Sequence, residues 1–147
     1  MATEQLVAFQ LATEEYAVSI SHVREIIKYN GATKLPNTPE YMEGMINLRG
    51  KIIPVIDLAA KFELQLENPS KKQALIVEMT GQEMGIVVDM VTEVIRLEDN
   101  AIESIKRIAD SNEFIKAIGK REDRLLIILD LDKLFNSEEM KMIRDVA

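Results

Sequence analysis

The residues that could carry out chemistry in this chain are few, and they are scattered along the sequence. His22 is the single histidine, and the 147 residues include no cysteine. A nucleophilic catalytic site needs a base such as histidine beside a nucleophile and an orienting group, and thiolate metal sites need cysteine. We therefore expect a surface or packing role for His22, no catalytic residue and no cofactor.

The acidic residues and the glycines also lack the spacing of known ligand-binding motifs. The sequence has no EF-hand calcium loop and no His-Glu-x-x-His zinc motif. The stretch GMINLRG, residues Gly44–Gly50, matches neither the dinucleotide-binding pattern nor the P-loop pattern of glycines. We expect most acidic side chains to be solvated, with no metal and no nucleotide.

Arg49 stands apart because it lies in a tight Leu-Arg-Gly turn. A guanidinium there presents a planar, permanently charged fork that can clamp a carboxylate. The same charge could simply keep a hairpin tip soluble, and the residues alone leave both readings open. Two readings are also open for a group of apolar side chains. Their spacing favours a face of the protein core, but the predicted helix is short, so some of them could face the groove between the units instead. The residues are Ile20, Val23, Ile26 and Ile27.

The charge balance excludes a further class of function. Lys and Arg total 18 against 25 Asp and Glu, which gives a net charge of −7 and an isoelectric point near 4.8. Because nucleic-acid binding draws most of its affinity from phosphate neutralisation, we expect no nucleic-acid partner. Apolar runs such as Leu125–Leu129 are far shorter than the roughly 20 residues of a membrane helix. We therefore expect a soluble cytoplasmic protein without direct membrane insertion.

Short apolar segments separated by turn residues predict a mainly β protein. The first strands expected are QLVAFQLA and YAVSI, followed by a short helix that Ser21 caps. A C-terminal helix over residues 137–146, capped by Ser137, ends the chain. Further strands are expected at Met45–Leu48, Lys51–Ile56, Gln73–Met79, Glu83–Val88, Ile115–Lys120 and Arg124–Leu129.

An internal repeat organises these segments. Residues 5–28 align without a gap with residues 73–96, and residues 41–62 align with residues 114–135. The identical pairs include Glu15 with Glu83, Val23 with Val91, Glu25 with Glu93, Asp57 with Asp130 and Phe62 with Phe135.

The repeat predicts two small units, over the approximate halves 5–66 and 73–135, within one domain of residues 1–147. Each unit is a hairpin, a short helix, a loop, a second hairpin and a second short helix, and each alone is marginal in size. Packed together, the units leave a groove where apolar side chains from both meet, which is a natural docking site for a helix. The residues expected to cap helices are the pairs Asp57 and Asp130, and Ser21 and Asp89.

The two copies differ most in their second hairpin. The first copy reads NLRGK at Asn47–Lys51 where the second reads KREDR at Lys120–Arg124. Gly44 and Gly50 have no glycine partner in the second copy, and Pro54 interrupts an apolar run. A proline within a strand belongs at an edge or a bulge, so this hairpin carries an irregularity that the scaffold alone does not require.

Four segments, distributed from near the N-terminus to near the C-terminus, carry a resemblance to a known family, and the likeness extends over essentially the whole chain. They resemble the CheW-like family of chemotaxis coupling proteins, and the most specific feature is NLRG followed by an apolar strand that ends in DL. The resemblance implies two small five-stranded β-barrel subdomains with short helices, a C-terminal helix and a hydrophobic groove between the barrels. The segments are Glu14–Ile27, Pro36–Leu58, Gly85–Ile95 and Arg124–Phe135.

The resemblance also implies a function. Members are non-enzymatic adapters that couple the cytoplasmic tip of chemoreceptors, a helical hairpin, to the regulatory domain of the histidine kinase CheA. They are cytoplasmic and are recruited to membrane-associated receptor arrays. The implied receptor-binding residues are Ile20, Val23, Glu25, Arg49 and Ala74. The implied kinase-binding residues are Gly44, Met45, Asn47 and Leu48.

A small-molecule-binding β-barrel is the alternative, because paired barrels also create a cleft. Such a site needs convergent polar groups with perturbed ionisation. The sequence shows no cluster of that kind, so the adapter is the preferred prediction.

Overall fold

The structure, a computed structural model, describes residues 3–64, 72–104 and 114–146. The hairpins at residues 42–57 and 73–88 and the strands Ile115–Arg121 and Arg124–Leu129 lie close to where the sequence predicts them. The strands are β1 (Thr3–Leu11), β2 (Glu14–Ser19), β3 (Val23–Lys28), β4 (Met42–Leu48), β5 (Lys51–Asp57), β6 (Gln73–Met79), β7 (Gln82–Val88), β8 (Met90–Glu98), β9 (Ile102–Ser104), β10 (Ile115–Arg121) and β11 (Arg124–Leu129). The helices are α1 (Leu58–Lys61) and α2 (Ser137–Val146), and 3-10 turns lie at Ile20–His22, Asp99–Ala101 and Leu131–Lys133.

The described strands form two sheets, which confirms the mainly β fold. The first sheet has the order β8-β1-β2-β11-β10-β9 and the second has the order β3-β6-β7-β5-β4. The first sheet therefore has six strands where five were expected. The additional strand is the short β9, which follows β8 after one 3-10 turn and pairs with the far edge of the same sheet.

Each sheet takes strands from both repeats, so the expectation that each half forms its own unit is wrong. The first hairpin of one repeat joins the second hairpin of the other through a parallel ladder. Ile127 of β11 pairs with Tyr16 of β2, and Val55 of β5 pairs with Gly85 of β7. Neither half completes a sheet by itself, because its strands need these partners.

The strand registers nevertheless follow the repeat residue by residue. Ile27 lies opposite Ala74 in the second sheet, and the equivalent Ile95 lies opposite Leu6 in the first. Both ladders shift register at the equivalent place, between Val23 and Glu25 in the second sheet and opposite Ala8 and Phe9 in the first. These equivalences support an internal duplication.

The core joins the two sheets. The larger cluster of buried side chains combines Phe9 and Val18 of the first sheet with Leu75 and Ile86 of the second, and Ile143 of α2 closes it. A smaller cluster lies within the first sheet and includes Leu6, Ile95, Leu126 and Ile128. The burial of apolar side chains between the two sheets is the main contribution to their packing together.

The predicted helix after Ser21 is wrong, because the segment is a 3-10 turn followed by strand β3. Burial alternates along β3, with Val23, Glu25 and Ile27 more covered than Arg24 and Ile26. This period of two belongs to a strand. The apolar residues of such a short segment fit either period, and the pairing of β3 with β6 decides between them.

Two of the predicted helix caps are confirmed. The Asp57 carboxylate accepts the N–H groups of Ala59 and Ala60 at 3.1 and 3.3 Å, and Asp130 accepts the N–H of Asp132 at 3.1 Å.

The other predicted caps are corrected. Ser19 rather than Ser21 caps the first 3-10 turn. Asp89 is buried and accepts the N–H of Ala12 at 2.9 Å, immediately before strand β8. Asn136 rather than Ser137 caps α2, because its side chain accepts the N–H of Glu139 at 2.8 Å.

Candidate functional site

The site begins at the turn that joins β4 and β5. Arg49 and Gly50 have φ values of 52° and 85°. Two consecutive left-handed residues make the tight hairpin turn whose twist matches that of its strands. The Asn47 side chain supports the turn by accepting the N–H of Gly50 at 2.8 Å. The Leu-Arg-Gly sequence therefore places Arg49 at the tip of a tight hairpin.

The fork of Arg49 grips the carboxylate of Glu25 on strand β3. Nη1 of Arg49 donates to Oε1 of Glu25 at 3.1 Å, and Nη2 donates to Oε2. The Arg49 side chain is 70% exposed and that of Glu25 is 29% exposed. The hydrogen bonds from Arg49 lower the pKa of Glu25, so the pair stays charged at neutral pH. The structure thus joins two predicted receptor-binding residues across the gap between β3 and the hairpin.

Further ion pairs surround this contact. Lys51 Nζ contacts Glu83 of β7, and Arg24 contacts Glu78 of β6. These ion pairs were not predicted from the sequence, although the repeat alignment pointed to the Lys51–Glu83 pair. Glu83 aligns with Glu15, and Lys51 aligns with Arg124.

The equivalent end of the first sheet carries a matching network. Arg124 donates to Glu15 at 2.9 Å and to Glu93 at 2.9 Å. The pKa of Glu15 is lowered, chiefly by the hydrogen bonds from Arg124. Glu93 is the repeat equivalent of Glu25, so both sheets use the same glutamate to tie an edge strand to a hairpin.

The remaining predicted receptor-binding residues differ in exposure. Ile20 is 37% exposed in the 3-10 turn before β3. Val23 is half-buried and packs against the larger core cluster. Ala74 is fully buried between Ile27 and Val87, so its side chain supports the site from beneath and presents no surface.

The predicted kinase-binding residues lie along β4. Gly44 is buried, and a Cβ there would lie 2.0 Å from the carbonyl oxygen of Thr33. Met45 and Leu48 are half-buried, and Asn47 is exposed. Asn47 is therefore the most accessible of the four, while Gly44 is required by close backbone packing.

A cavity of about 570 Å³ lies where β3 and β6 of the second sheet meet the start of β8 in the first. Its lining combines Met90 and Val91 with the charged side chains of Lys28 and Lys72. This cavity therefore has both charged and apolar walls.

Within the described ranges, no three His, Asp or Glu side chains are grouped as metal ligands. Among the same residues, no helix is long and apolar enough to cross a membrane.

Comparisons with known proteins identify the family. The model of the CheW-like domain matches residues 5–139. The chain is 37% identical to the chemotaxis protein CheW of Klebsiella aerogenes, over 98% of this chain and 89% of that protein. It is 36% identical to CheW of Helicobacter pylori, over 91% and 82%. The crystal structure of the scaffolding protein TtCheW from Thermoanaerobacter tengcongensis superposes with a TM-score of 0.85 at 41% identity, covering 94% of this chain and 96% of that one.

These matches define the class of protein as a chemotaxis scaffold. The chain belongs to the CheW-like family. The alternative of a small-molecule-binding barrel is not favoured by any of them.

Proposed function

We propose that this chain is a non-enzymatic adapter that couples the cytoplasmic tip of chemoreceptors to the regulatory domain of the kinase CheA. It acts in the cytoplasm and is recruited to membrane-associated receptor arrays. It functions by binding its partner proteins through its surfaces. The observation that carries the receptor arm of this proposal is the exposed guanidinium of Arg49, held at a tight hairpin turn beside β3.

A single α-helix of the receptor tip could lie along strand β3. Strand β3 has six residues and is therefore roughly 20 Å long, which corresponds to about four turns of α-helix. Glu25, near the middle of β3, holds Arg49 of the neighbouring hairpin. The cavity beside Lys28 and Met90 lies at the C-terminal end of β3. A helix lying along β3 would place acidic side chains near Arg49 and apolar ones against Ile20.

The ion pair with Glu25 limits how a receptor carboxylate can reach Arg49. Arg49 has five N–H donors, and Glu25 engages two of its nitrogens. A receptor carboxylate can either share the exposed side of the fork or displace Glu25. In both cases the hydrogen bond is charge-assisted, and such bonds are stronger than neutral ones.

The test of the receptor arm is Arg49→Ala, measured by calorimetry against a receptor-tip hairpin. We expect affinity to fall about tenfold, because a hydrogen bond to a charged group is lost. Arg24→Ala is the matched control, since Arg24 makes an ion pair of the same kind, to Glu78, outside the proposed contact set. Equal loss in both variants would remove Arg49 from the receptor surface.

The kinase arm is assigned to the β4–β5 hairpin, at Met45, Asn47 and Leu48. Gly44 supports this surface without contributing a side chain. Because Arg49 follows Leu48 directly and contacts Glu25 of β3, the proposed receptor and kinase surfaces are neighbours at one hairpin tip. This placement lets both partners bind the same copy of the chain.

A further inference from the structure

The outer edges of the two sheets are covered differently. In the first sheet, β9 pairs with the edge strand β10 along Ala117–Gly119. In the second sheet, the equivalent edge strand β4 has a single bridge, between Met45 and Thr33. The two equivalent strands therefore differ: β10 is paired with β9 along three residues, whereas β4 has one bridge on its outer side.

The uncovered backbone lies at Asn47. The two-residue turn makes Leu48 and Lys51 a hydrogen-bonded pair, so alternate residues of β4 point their N–H and C=O groups away from β5. Met45 shows this direction, because its N–H and C=O both bond to Thr33 at 2.9 Å. Asn47 points the same way, and no backbone group in the described part of the chain pairs with it there.

The chain leaves room beside this edge. Thr33 pairs with Met45, but no backbone hydrogen bond joins Asn47 to Gly31, whose φ is 104°. An open cavity of about 390 Å³ remains, lined by residues 30–33 and 45–47. The Asn47 side chain does not fill it, since it is held back on the N–H of Gly50.

We propose that this edge accepts an extended segment of the kinase partner by β-strand addition at Asn47, an inference that rests on the proposed function. The first sheet supplies the template. There Ile102 lies opposite Gly119, whose repeat equivalent is Ile46. The incoming segment runs antiparallel to β4, exchanges backbone hydrogen bonds with Asn47 and lays an aliphatic side chain beside Ile46. Main-chain bonds of this kind supply affinity in strand addition.

The choice of occupant follows from continuity with the proposed kinase surface. The free edge is the exposed backbone of the same hairpin that carries Met45 and Leu48. It is short, because Thr33 occupies the next outward position. One segment of a larger partner that also contacts the hairpin suits this edge better than an isolated peptide.

The test is Asn47→Pro, with Asn47→Ala as the matched control, in calorimetric titrations of the full chain with the CheA regulatory domain. Both variants lose the side-chain bond to Gly50, but only proline removes the outward N–H. Proline is tolerated at edge positions, and Pro54 already lies opposite Met45 in this hairpin. We expect Asn47→Pro to bind roughly 3- to 10-fold more weakly than Asn47→Ala, and the Asn47 amide of the unmodified chain to exchange more slowly in the complex.

The outcomes are distinct. Equal binding by the two variants, with unchanged exchange at Asn47, overturns strand addition and leaves the adapter intact. No binding of the kinase domain by the unmodified chain overturns the kinase arm of the proposed function. Protection of the Asn47 amide at high protein concentration without kinase assigns the edge to a second copy and overturns the proposed occupant. If Asn47→Pro does not fold, amide exchange in the unmodified chain decides.

Discussion

At the scale of single residues, one carboxylate organises the C-terminal helix. Glu139 accepts the Tyr41 hydroxyl at 3.0 Å and the Lys61 ammonium at 2.7 Å. It also completes the helix cap by accepting the N–H of Asn136 at 3.0 Å. Lys61 lies 5.4 Å from the centre of the Phe135 ring, within range of a cation–π contact. The side chains of Lys61 and Glu139 are 18% and 22% exposed, so solvent screens them only in part.

The Glu139 contacts predict a pH-dependent contribution to stability. Burial raises the pKa of Glu139, but the hydrogen bonds from Lys61, Asn136 and Tyr41 outweigh it and lower the pKa below its usual value. A lowered pKa means that the contribution is present at neutral pH and is lost as the pH falls through the folded-state pKa. Glu139→Gln should cost about 1–2 kcal/mol of unfolding free energy at pH 7 in urea titrations, and the cost should shrink towards pH 3.

Glu138→Gln is the control for this effect. Glu138 shares the first turn of α2 with Glu139 but is exposed. It should lose at most a few tenths of a kcal/mol through its interaction with the helix dipole. An equal cost for both variants would show that Glu139 acts only as a first-turn charge.

At the scale of elements, local patterns predicted most strands but not how they combine. Strands β4 to β7, β10 and β11 follow from alternating apolar residues between turn residues, which is information within each segment. Strand β3 was predicted as a helix because its partner β6 lies some 50 residues away in the sequence, and a short segment has no period of its own that excludes a helix. The exchange of hairpins between repeats is a non-local choice that no single segment encodes.

The candidate site was predictable to a similar extent. The Leu-Arg-Gly turn singled out Arg49 from local chemistry, and the structure supplied its partner Glu25. Glu25 had a second signal, since it is identical to Glu93 in the repeat. Both glutamates tie an edge strand to a hairpin, so Glu25 has a structural role in addition to the proposed one. Burial of Ala74 and Gly44 could not be read from spacing, because it depends on which strands lie beside them.

The two faces of the β3 region predict which apolar residues contact the receptor. Ile20, in the turn before β3, is 37% exposed, and Ile26, on the outer face of β3, is 40% exposed. Ile20→Asp should weaken binding of the receptor-tip hairpin about tenfold or more in calorimetry, since a buried contact would gain an unpaired charge. Ile26→Asp should leave binding unchanged, and both variants should keep the melting temperature of the unmodified chain within a few degrees.

Substitution of Val23 by Asp would not test receptor contact alone, because Val23 packs against the larger core cluster. A charge at Val23 would test folding and binding together. If Ile26→Asp rather than Ile20→Asp impaired receptor binding, the proposed docking face of β3 would be the wrong one.

At the scale of the whole molecule, the repeats are interdependent. Four ladders join the two halves within the described residues, namely β1 with β8, β2 with β11, β3 with β6 and β5 with β7. The larger core cluster also draws on both halves. Stability is therefore a property of the complete chain, and both proposed surfaces depend on both repeats.

This interdependence predicts the behaviour of a divided chain. Fragments 1–67 and 68–147 should each be unfolded in circular dichroism and amide NMR spectra, because neither half forms a complete sheet. Mixed in equal amounts, they should recover the spectrum of the intact chain. Cooperative unfolding by either fragment alone would show that a repeat is an independent unit.

The central claim is that one copy of the chain binds receptor and kinase at the same time, through neighbouring but separate surfaces. The most direct measurement is size-exclusion chromatography with light scattering, using the chain, a receptor-tip hairpin and the CheA regulatory domain alone, in pairs and together. The account predicts a complex that contains all three components. Competition of receptor and kinase for the chain, or failure of either to bind, would contradict it.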